Sequence, residues 1–588
     1  MYLNDKKITC HYGGKLFTII IPNVSEEPIT PSSSEKSIRE LNISMTTEQL
    51  VPIIIDVYPL DEAVVDYKYE VDNDAVEIKS GLIIPKRSGS SVVKVKTLDE
   101  TELGTINVTV VQAETVAEIT DAETYNVVNA DFGIASDDVT ETCDAINTML
   151  NTKSAEGIKK VVFQNGTYII GNDKSIQPPS GMTIDLNGST LRQEGSSELI
   201  EGWAVVRIAS GSHNIRITNG YIHSDRQDRD PSFNMESRHC VVCEGSHIEL
   251  DNLDIGYTTG YGVAFGAANP KNVAYISLNN LTETSVNCRK TISPIDISNL
   301  ETYIQYCYYF GYGGWGFIKD SAKIRLRILD SNKNIILQYD NYRPYQIVPK
   351  PDNAKYIDMD ILNTEITGSN ADFNNCIGMF AEFDSTDYIN MHDCYIHHCK
   401  SLGTAYSSKG LHNIIRNCTY DYNGGAYATA DIDFEDGWEF MRYVTVRDNR
   451  FLENSTRSIV VCAGDRLIFY NNTFKGGMVI SDRATNTLLM NNTFDYETRP
   501  NQHVEIVTEW YSGAAFIEGN DFHKTWFVVN NARDVQNIKR LYLKDNRFYQ
   551  GGIINQSKHE TISGLSMTTD TTIVGDVTDS IIITVTNN

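Results

Sequence analysis

A six-residue phrase recurs five times in the last third of the chain and constrains its fold more than any other feature. The copies read VRDNRF (446–451), FYNNTF (469–474), LMNNTF (489–494), IEGNDF (517–522) and LKDNRF (543–548). Each holds an asparagine at the same place: Asn449, Asn472, Asn492, Asn520 and Asn546. Three residues earlier stands an apolar residue (Val446, Phe469, Leu489, Ile517, Leu543), and two residues later a phenylalanine (Phe451, Phe474, Phe494, Phe522, Phe548). The asparagines are 23, 20, 28 and 26 residues apart (449→472→492→520→546). A strand-like repeat of this period belongs to stacked coils, each burying its apolar face against its neighbours. Strand side chains alternate, so the apolar residue before the asparagine points inward. The asparagine itself is expected at a bend, where it tolerates left-handed backbone and hydrogen-bonds locally. Stacking places asparagine above asparagine at about 4.8 Å, the spacing of an amide ladder, with the phenylalanines stacked inside. The expected fold is a parallel β-helix whose unequal steps are taken up by loops.

At 588 residues the chain exceeds one ordinary core, so several domains or one long solenoid are expected. Its 77 acidic against 50 basic residues give a net charge of −27, which argues against nucleic acid or an anionic membrane surface as a partner. No stretch approaches a membrane span, and no secretory layout surrounds the short apolar run Leu16–Ile21. Synthesis in a cytoplasm is expected, with any external role reached by lysis or by assembly into a particle. The 11 cysteines are scattered, most in strand-like apolar contexts such as Cys418 and Cys462, as buried free thiols would be. Cys240 and Cys243 form a lone CxxC; residues three apart on a strand face opposite sides and no second pair follows, so no zinc centre is expected.

Residues 1–37 hold a small β unit (Lys6–Cys10, Leu16–Pro22) and a linker rich in Ser, Pro and Glu, with an anchoring role suggested by position. Residues 38–112 break into short alternating strands separated by turn signals, a β-sandwich pattern. Within them, DNDAVEIKSGLIIPKRSGSSVVKV (72–95) resembles a bacterial immunoglobulin-like domain of the group-2 type, which implies a spacer. Residues 113–276 open with one convincing helix, capped by Asp137 or Asp138, with Val139, Cys143, Ile146 and Leu150 as its apolar stripe. NADFGIASDD (129–138), this helix and the strand Lys160–Phe163 with its Asn165–Gly166 turn together resemble the opening of the pectate-lyase-like β-helix superfamily, found in bacteriophage tailspikes and many polysaccharide-active enzymes. The resemblance implies a right-handed helix whose open end the α-helix plugs; the family's usual Gly-Asp-Gly is replaced here within Ile134–Asp138. Coils follow at 204–208, 215–222, 240–243 and 248–255, with the polar stretch 224–237 as a flank loop.

Residues 277–366 break the rhythm with long tyrosine-rich strands. AKIRLRILDSNKNIILQYD (322–340) and YQIVPKPDNAKYIDMDIL (345–362) resemble a jelly-roll carbohydrate-binding module. An inserted β-sandwich is expected, whose tyrosines and Trp315 either stack on sugar rings or serve as core and oligomer contacts. Coils resume over 367–555, and 556–588 read as an end cap or trimer contact. The fold class is therefore all-β: a parallel β-helix with an N-terminal and an inserted sandwich.

Chemistry is expected in DIDFEDGWE (431–439). With Ile432 and Phe434 facing the core, Asp431, Asp433 and Glu435 share the outer face. Strand residues two apart are separated by about 6.5–7 Å, which suits one carboxylate as acid and one as base with a water between them. Crowded like charges raise at least one pKa, as an acid at neutral pH requires. Asp433, with Asp431 or Glu435, is the expected catalytic pair. Gly437 opens a turn, Trp438 offers a flat face to a sugar, and Asp436, His397, Tyr406, Lys409 and Arg457 are the expected substrate contacts. A cation beside a carboxylate would instead suit β-elimination. No cofactor is required, although the same acids could hold Ca²⁺ or simply be solvated. Wording close to IDFEDG also occurs in the β-helix family after an Asn-Gly-Gly turn, here Asn423–Gly425. The resemblance implies a homotrimeric phage tail protein, joined to the tail or baseplate through its N-terminal region, that binds and cleaves a bacterial cell-surface polysaccharide. Hydrolysis is the first reading and β-elimination by a lyase the second. A non-catalytic receptor-binding fibre and a bacterial glycan-degrading enzyme are the alternatives. No nucleotide loop, zinc-protease helix or nucleophile elbow is present.

Overall fold

The five repeats form successive coils of a three-walled parallel solenoid. The computed structural model describes residues 6–21 and 35–58 in part, 67–112 except 80, 119–195, 204–224, 238–266, 272–382 in part, 386–424 except 408 and 409, 430–435, 441–452, 457–496, 503–507, 514–530 and 540–574 in part. In the repeat region the first wall stacks Thr445–Arg447, Ile468–Tyr470, Thr487–Met490, Ala514–Glu518 and Arg540–Lys544. The second wall stacks Arg450–Phe451, Thr473–Phe474, Thr493–Asp495, Asp521–His523 and Arg547–Tyr549. The third stacks Arg457–Asp465, Gly477–Thr485, His503–Val507, Trp526–Asn530 and Gly552–Asn555. All three walls are parallel, and the same walls continue back to Lys160–Val162, Thr167–Ile170 and Ala204–Ile208. Among the described residues no helix is long and apolar enough to cross a membrane.

The ladder asparagines are buried at the corner between the first two walls. Asn492 donates its backbone N–H (2.9 Å) and Nδ2 (3.0 Å) to Oδ1 of Asn520, and Nδ2 also to the Phe469 carbonyl at 2.8 Å. Its own Oδ1 accepts the N–H (2.9 Å) and Nδ2 (3.1 Å) of Asn472. The left-handed residue is not the ladder asparagine, as the sequence suggested, but the one before it: Asp448 (φ 60°), Asn471 (54°), Asn491 (55°), Gly519 (66°) and Asp545 (53°). That residue turns the corner and throws the next side chain inward. One and two coils before Asn449, Cys418 and Cys394 follow the left-handed Asn417 and Asp393 and occupy the same column. The Cys418 N–H donates to Asn449 Oδ1 at 2.8 Å, and its thiol points at the Met391 carbonyl, 3.8 Å away. Two residues past the ladder, rings stack from Tyr420 through Phe451, Phe474, Phe494 and Phe522 to Phe548, with centroids 4.6–5.0 Å apart.

The plugging helix is shorter than expected, Cys143–Ala155 with Thr142 at its N-cap. Asp137 spends its carboxylate on the Val139 and Thr140 N–H groups (3.1 and 2.8 Å), and Asp137–Glu141 runs as a strand beside Thr167–Ile170. Val139 is therefore 80% exposed, outside the apolar stripe, which consists of Cys143, Ile146, Met149 and Leu150 buried in the end of the solenoid core. Cys240 and Cys243 are both buried in that core rather than facing opposite sides. Cys240 and Val241 both turn inward at the start of the strand, where no bridge is made between the pairs Ala204↔His239 and Val206↔Val241.

The break in the rhythm is a block of antiparallel strands, running from Asn272–Ser277, which pairs with Cys376–Glu382, rather than only over 277–366. Inside it Leu281–Ser285, Cys288–Thr291, Tyr356–Leu362, Lys323–Leu329 and Ile335–Tyr342 form one sheet, locked by Arg327 on Asp358 (2.9 Å) and Asp360 (2.7 Å). The walls close across it, since Ser246–Gly256 pairs directly with Ile389–His392 and Tyr395–His397. Coils thus resume at Ile389, not at 367. They also run past 555, because Thr572–Val574 pairs with Gly552–Asn555. Trp315 lies outside the described residues.

Near the N-terminus, Lys6–Tyr12 and Lys15–Ile21 pair as a hairpin. Residues 42–111 build one sheet from Asn42–Thr46, Glu102–Val111, Gly89–Lys96 and Lys68–Val71 and another from Val51–Pro52, Leu82–Pro85 and Val76–Lys79, sharing a core that includes Ile43, Val93, Val95, Ile106 and Val108. This unit is not a free spacer. Leu50 and Leu82 pack on Ile468, Leu488 and Met490, and Glu48 pairs with Arg447 (2.8 Å) and Arg416 (3.3 Å). The contact covers apolar residues that the first wall turns outward.

Candidate functional site

The acidic phrase falls on the third wall, where Ala430–Phe434 lies between Leu402–Tyr406 and Arg457–Asp465. Ile432 and Phe434 are buried in the core as the alternation requires. Asp433 between them faces out, half-buried, opposite Ala405 and Val460, with the Cys462 thiol 3.9 Å from its Oδ1. Glu435 follows on the same side, where its two oxygens accept the Tyr261 hydroxyl (3.3 Å) and the Ser407 hydroxyl (3.1 Å). Tyr261 is steadied in turn: its ring stacks on His239 at 4.6 Å and its backbone N–H donates to His239 Nδ1 at 3.2 Å. Burial, and behind it the Arg207 guanidinium, pushes His239 down to about 4. A base whose folded pKa lies below its unfolded value of about 6.5 is stabilising above that value and loses the contribution as pH falls through about 4. Melting temperature should therefore drop between pH 7 and pH 4 (roughly the window between the two values), and His239→Phe should flatten that part of the profile.

Asp431 does not belong to the outer row. It is fully buried and accepts Asn423 Nδ2 at 3.0 Å. Asp431 and Ile432 are consecutive inward residues here too, with no bridge made between the pairs Ala430↔Arg457 and Ile432↔Ile459. Tyr406 is not a substrate contact either: its ring is buried against Phe434 (4.8 Å, 4°) and Phe265 (4.8 Å). Arg457 is exposed on the same wall, beside Ala430. His397 is on the second wall, apart from the acids. Lys409, Asp436 and Trp438 lie outside the described residues. Sequence reasoning missed Tyr261, Ser407 and His239, which the coils before the acids bring to them; only an alignment of coils on this wall would have revealed them.

His397 belongs to a second constellation. The second wall sets Asp254 opposite Tyr395 and Gly256 opposite His397, with His223 opposite Gly256 in the coil before. Nε2 of His223 and Nε2 of His397 each lie 2.8 Å from Asp254 Oδ1. His397 Nδ1 meets His398 Nδ1 at 2.8 Å, and the His397 ring stacks on Tyr395 at 4.4 Å with Tyr257 edge-on at 4.9 Å. Burial works to raise the Asp254 pKa, but the two imidazoles outweigh it and hold the carboxyl well below the usual range. Burial, then the Asp421 carboxylate, pushes Tyr395 up to about 12.

A family model described as right handed beta helix region matches residues 356–494. No curated protein matches the chain. Among solved structures, it is similar to the A-module of mannuronan C-5 epimerase AlgE6 of Azotobacter vinelandii (8% identity, 79% of this chain and 99% of that one, TM-score 0.44). It is similar also to a hyperthermoactive exopolygalacturonase of Thermotoga maritima (10% identity, 80% and 93%, TM-score 0.31). A third likeness is the tailspike protein of E. coli bacteriophage HK620 in complex with a pentasaccharide (8% identity, 77% and 67%, TM-score 0.33).

Proposed function

From the premise that the chain carries a right-handed β-helix, we propose that it binds and cleaves a bacterial surface polysaccharide at Asp433 and Glu435. The observation that carries this reading is one of placement. Two carboxylates leave the same strand end on the outer face, with Phe434 between them anchored in the core and Glu435 held by two hydroxyl donors. Glu435, oriented by the Tyr261 and Ser407 hydroxyls, is the base in this reading. Asp433, on the outer face between Ala405 and Val460, is the acid in this reading. In the proposed reaction Asp433 protonates the glycosidic oxygen as its bond to the anomeric carbon breaks. Glu435 takes a proton from the water that attacks that carbon. Tyr261, with its polar tip on Glu435 and its ring on His239, offers an edge to the bound sugar.

This reading makes the protein part of a virion tail acting at the bacterial surface, assembled as a homotrimer and attached through its N-terminal hairpin. The test is incubation of purified protein with surface polysaccharides of candidate hosts. New reducing ends without ultraviolet absorbance of an unsaturated uronate support hydrolysis. Both signals together replace it with β-elimination, and binding without either leaves a receptor-binding fibre.

A further inference from the structure

We propose that His223, Asp254 and His397 bind one divalent transition-metal ion of the zinc class, at a site on the second wall separate from the carboxylates of the third. Two imidazole Nε2 atoms and one carboxylate oxygen converge there, all within 4.8 Å of one another, and each nitrogen is 2.8 Å from the oxygen. Ligand atoms bound tetrahedrally at about 2.0–2.1 Å sit about 3.3 Å apart, so each nitrogen would move about 0.5 Å away from the oxygen as an ion enters between them. Two imidazoles with one carboxylate is a donor set for Zn²⁺, Fe²⁺ or Co²⁺, not for a hard all-oxygen ion.

Three further observations favour a metal over a plain hydrogen-bond cluster. First, Gly256 stands in the register between His223 and His397 without a left-handed φ to require it. A Cβ there would lie 2.4 Å from the His397 carbonyl and 3.1 Å from its Nε2, so a side chain would clash with the His397 backbone and crowd its ligand nitrogen. Second, His397 is oriented from behind by His398 and by Tyr395, as ligand imidazoles are in metal sites. Third, among the described residues no lysine or arginine pairs with Asp254. The contrast is the neighbouring group Glu249, Asp251 and His392, where Arg216 already binds Asp251 through two contacts of 2.8 Å and fills the place of a cation. The side chains of His223 and Asp254 are 20% and 28% exposed while that of His397 is 4%, so coordination positions stay open to water or a ligand on one side.

The test uses the untagged full-length chain stripped with a chelator, titrated with Co²⁺ while visible absorption is followed, and melted with and without Zn²⁺. One equivalent of Co²⁺ should bind with ligand-field bands, and Zn²⁺ should displace it and raise the melting temperature. His223→Gln, on a partly exposed residue, and Asp254→Asn should each weaken Co²⁺ binding at least tenfold, whereas His392→Gln should leave it unchanged. If Asp254→Asn fails to fold, His223→Gln decides alone. Absence of Co²⁺ bands in the parent protein, or bands and affinity unaltered in His223→Gln, overturns the site.

Discussion

Asn492→Ala should destabilise the solenoid by about 3–5 kcal/mol, read as a lowered urea midpoint. The substitution leaves the buried Asn472 N–H without its acceptor, removes a donor from the Phe469 carbonyl, and takes one of two partners from Asn472 Nδ2 and from Asn520 Oδ1, which keep the Val446 carbonyl and the backbone N–H of residue 492. Each unsatisfied buried group costs about 1–3 kcal/mol, and the losses are not fully additive. Asn471→Ala, one residue away, should cost only about 1–2 kcal/mol, the penalty of an alanine held at φ 54°. If the two changes cost the same, the ladder is not what fastens the coils. Hydrogen exchange at the amides of Asn472 and Asn492 would localise the effect, since a solenoid can open coil by coil.

Asp433→Asn and Glu435→Gln should each lower glycan cleavage by about 10²–10⁴-fold, the usual range for a general acid or base. Melting temperature should change little, because neither side chain is part of the core. The two changes should also differ. Asp433→Asn removes the proton given to the leaving oxygen, so substrates with a good leaving group should be spared. Glu435→Gln should affect all substrates alike. Ser407→Ala, which removes one donor to Glu435, should lower the rate more modestly and alter its pH dependence. Full activity in both carboxylate variants would remove the third wall from the chemistry.

The corner was legible in the sequence because stacking repeats the same demand in each coil. Which residue turns it was not: in the pairs Asp448-Asn449, Asn471-Asn472 and Asn491-Asn492 both members tolerate left-handed backbone, and only the direction of the second side chain separates them. Strict alternation placed Asp433 and Glu435 correctly and Asp431 wrongly. The residues aligned with Asp431 in adjoining coils carry the missing signal. Gly262, Gly403 and Ser458 are all small, and a Cβ on Gly403 would meet Tyr420 and Asn423 inside the solenoid. The pairing of His223 with His397 was hidden for another reason. The antiparallel block 272–382 separates them in the chain, and only the register Asp254↔Tyr395 restores their adjacency.

The most direct measurement is a crystal structure of the Asp433→Asn protein with an oligosaccharide it binds but does not cut. Sugar rings lying across the third wall, with a glycosidic oxygen between position 433 and Glu435 and a ring against Tyr261, are the result predicted here. Sugar bound instead along the second wall at His223 and His397, or only on the 272–382 block, would contradict it.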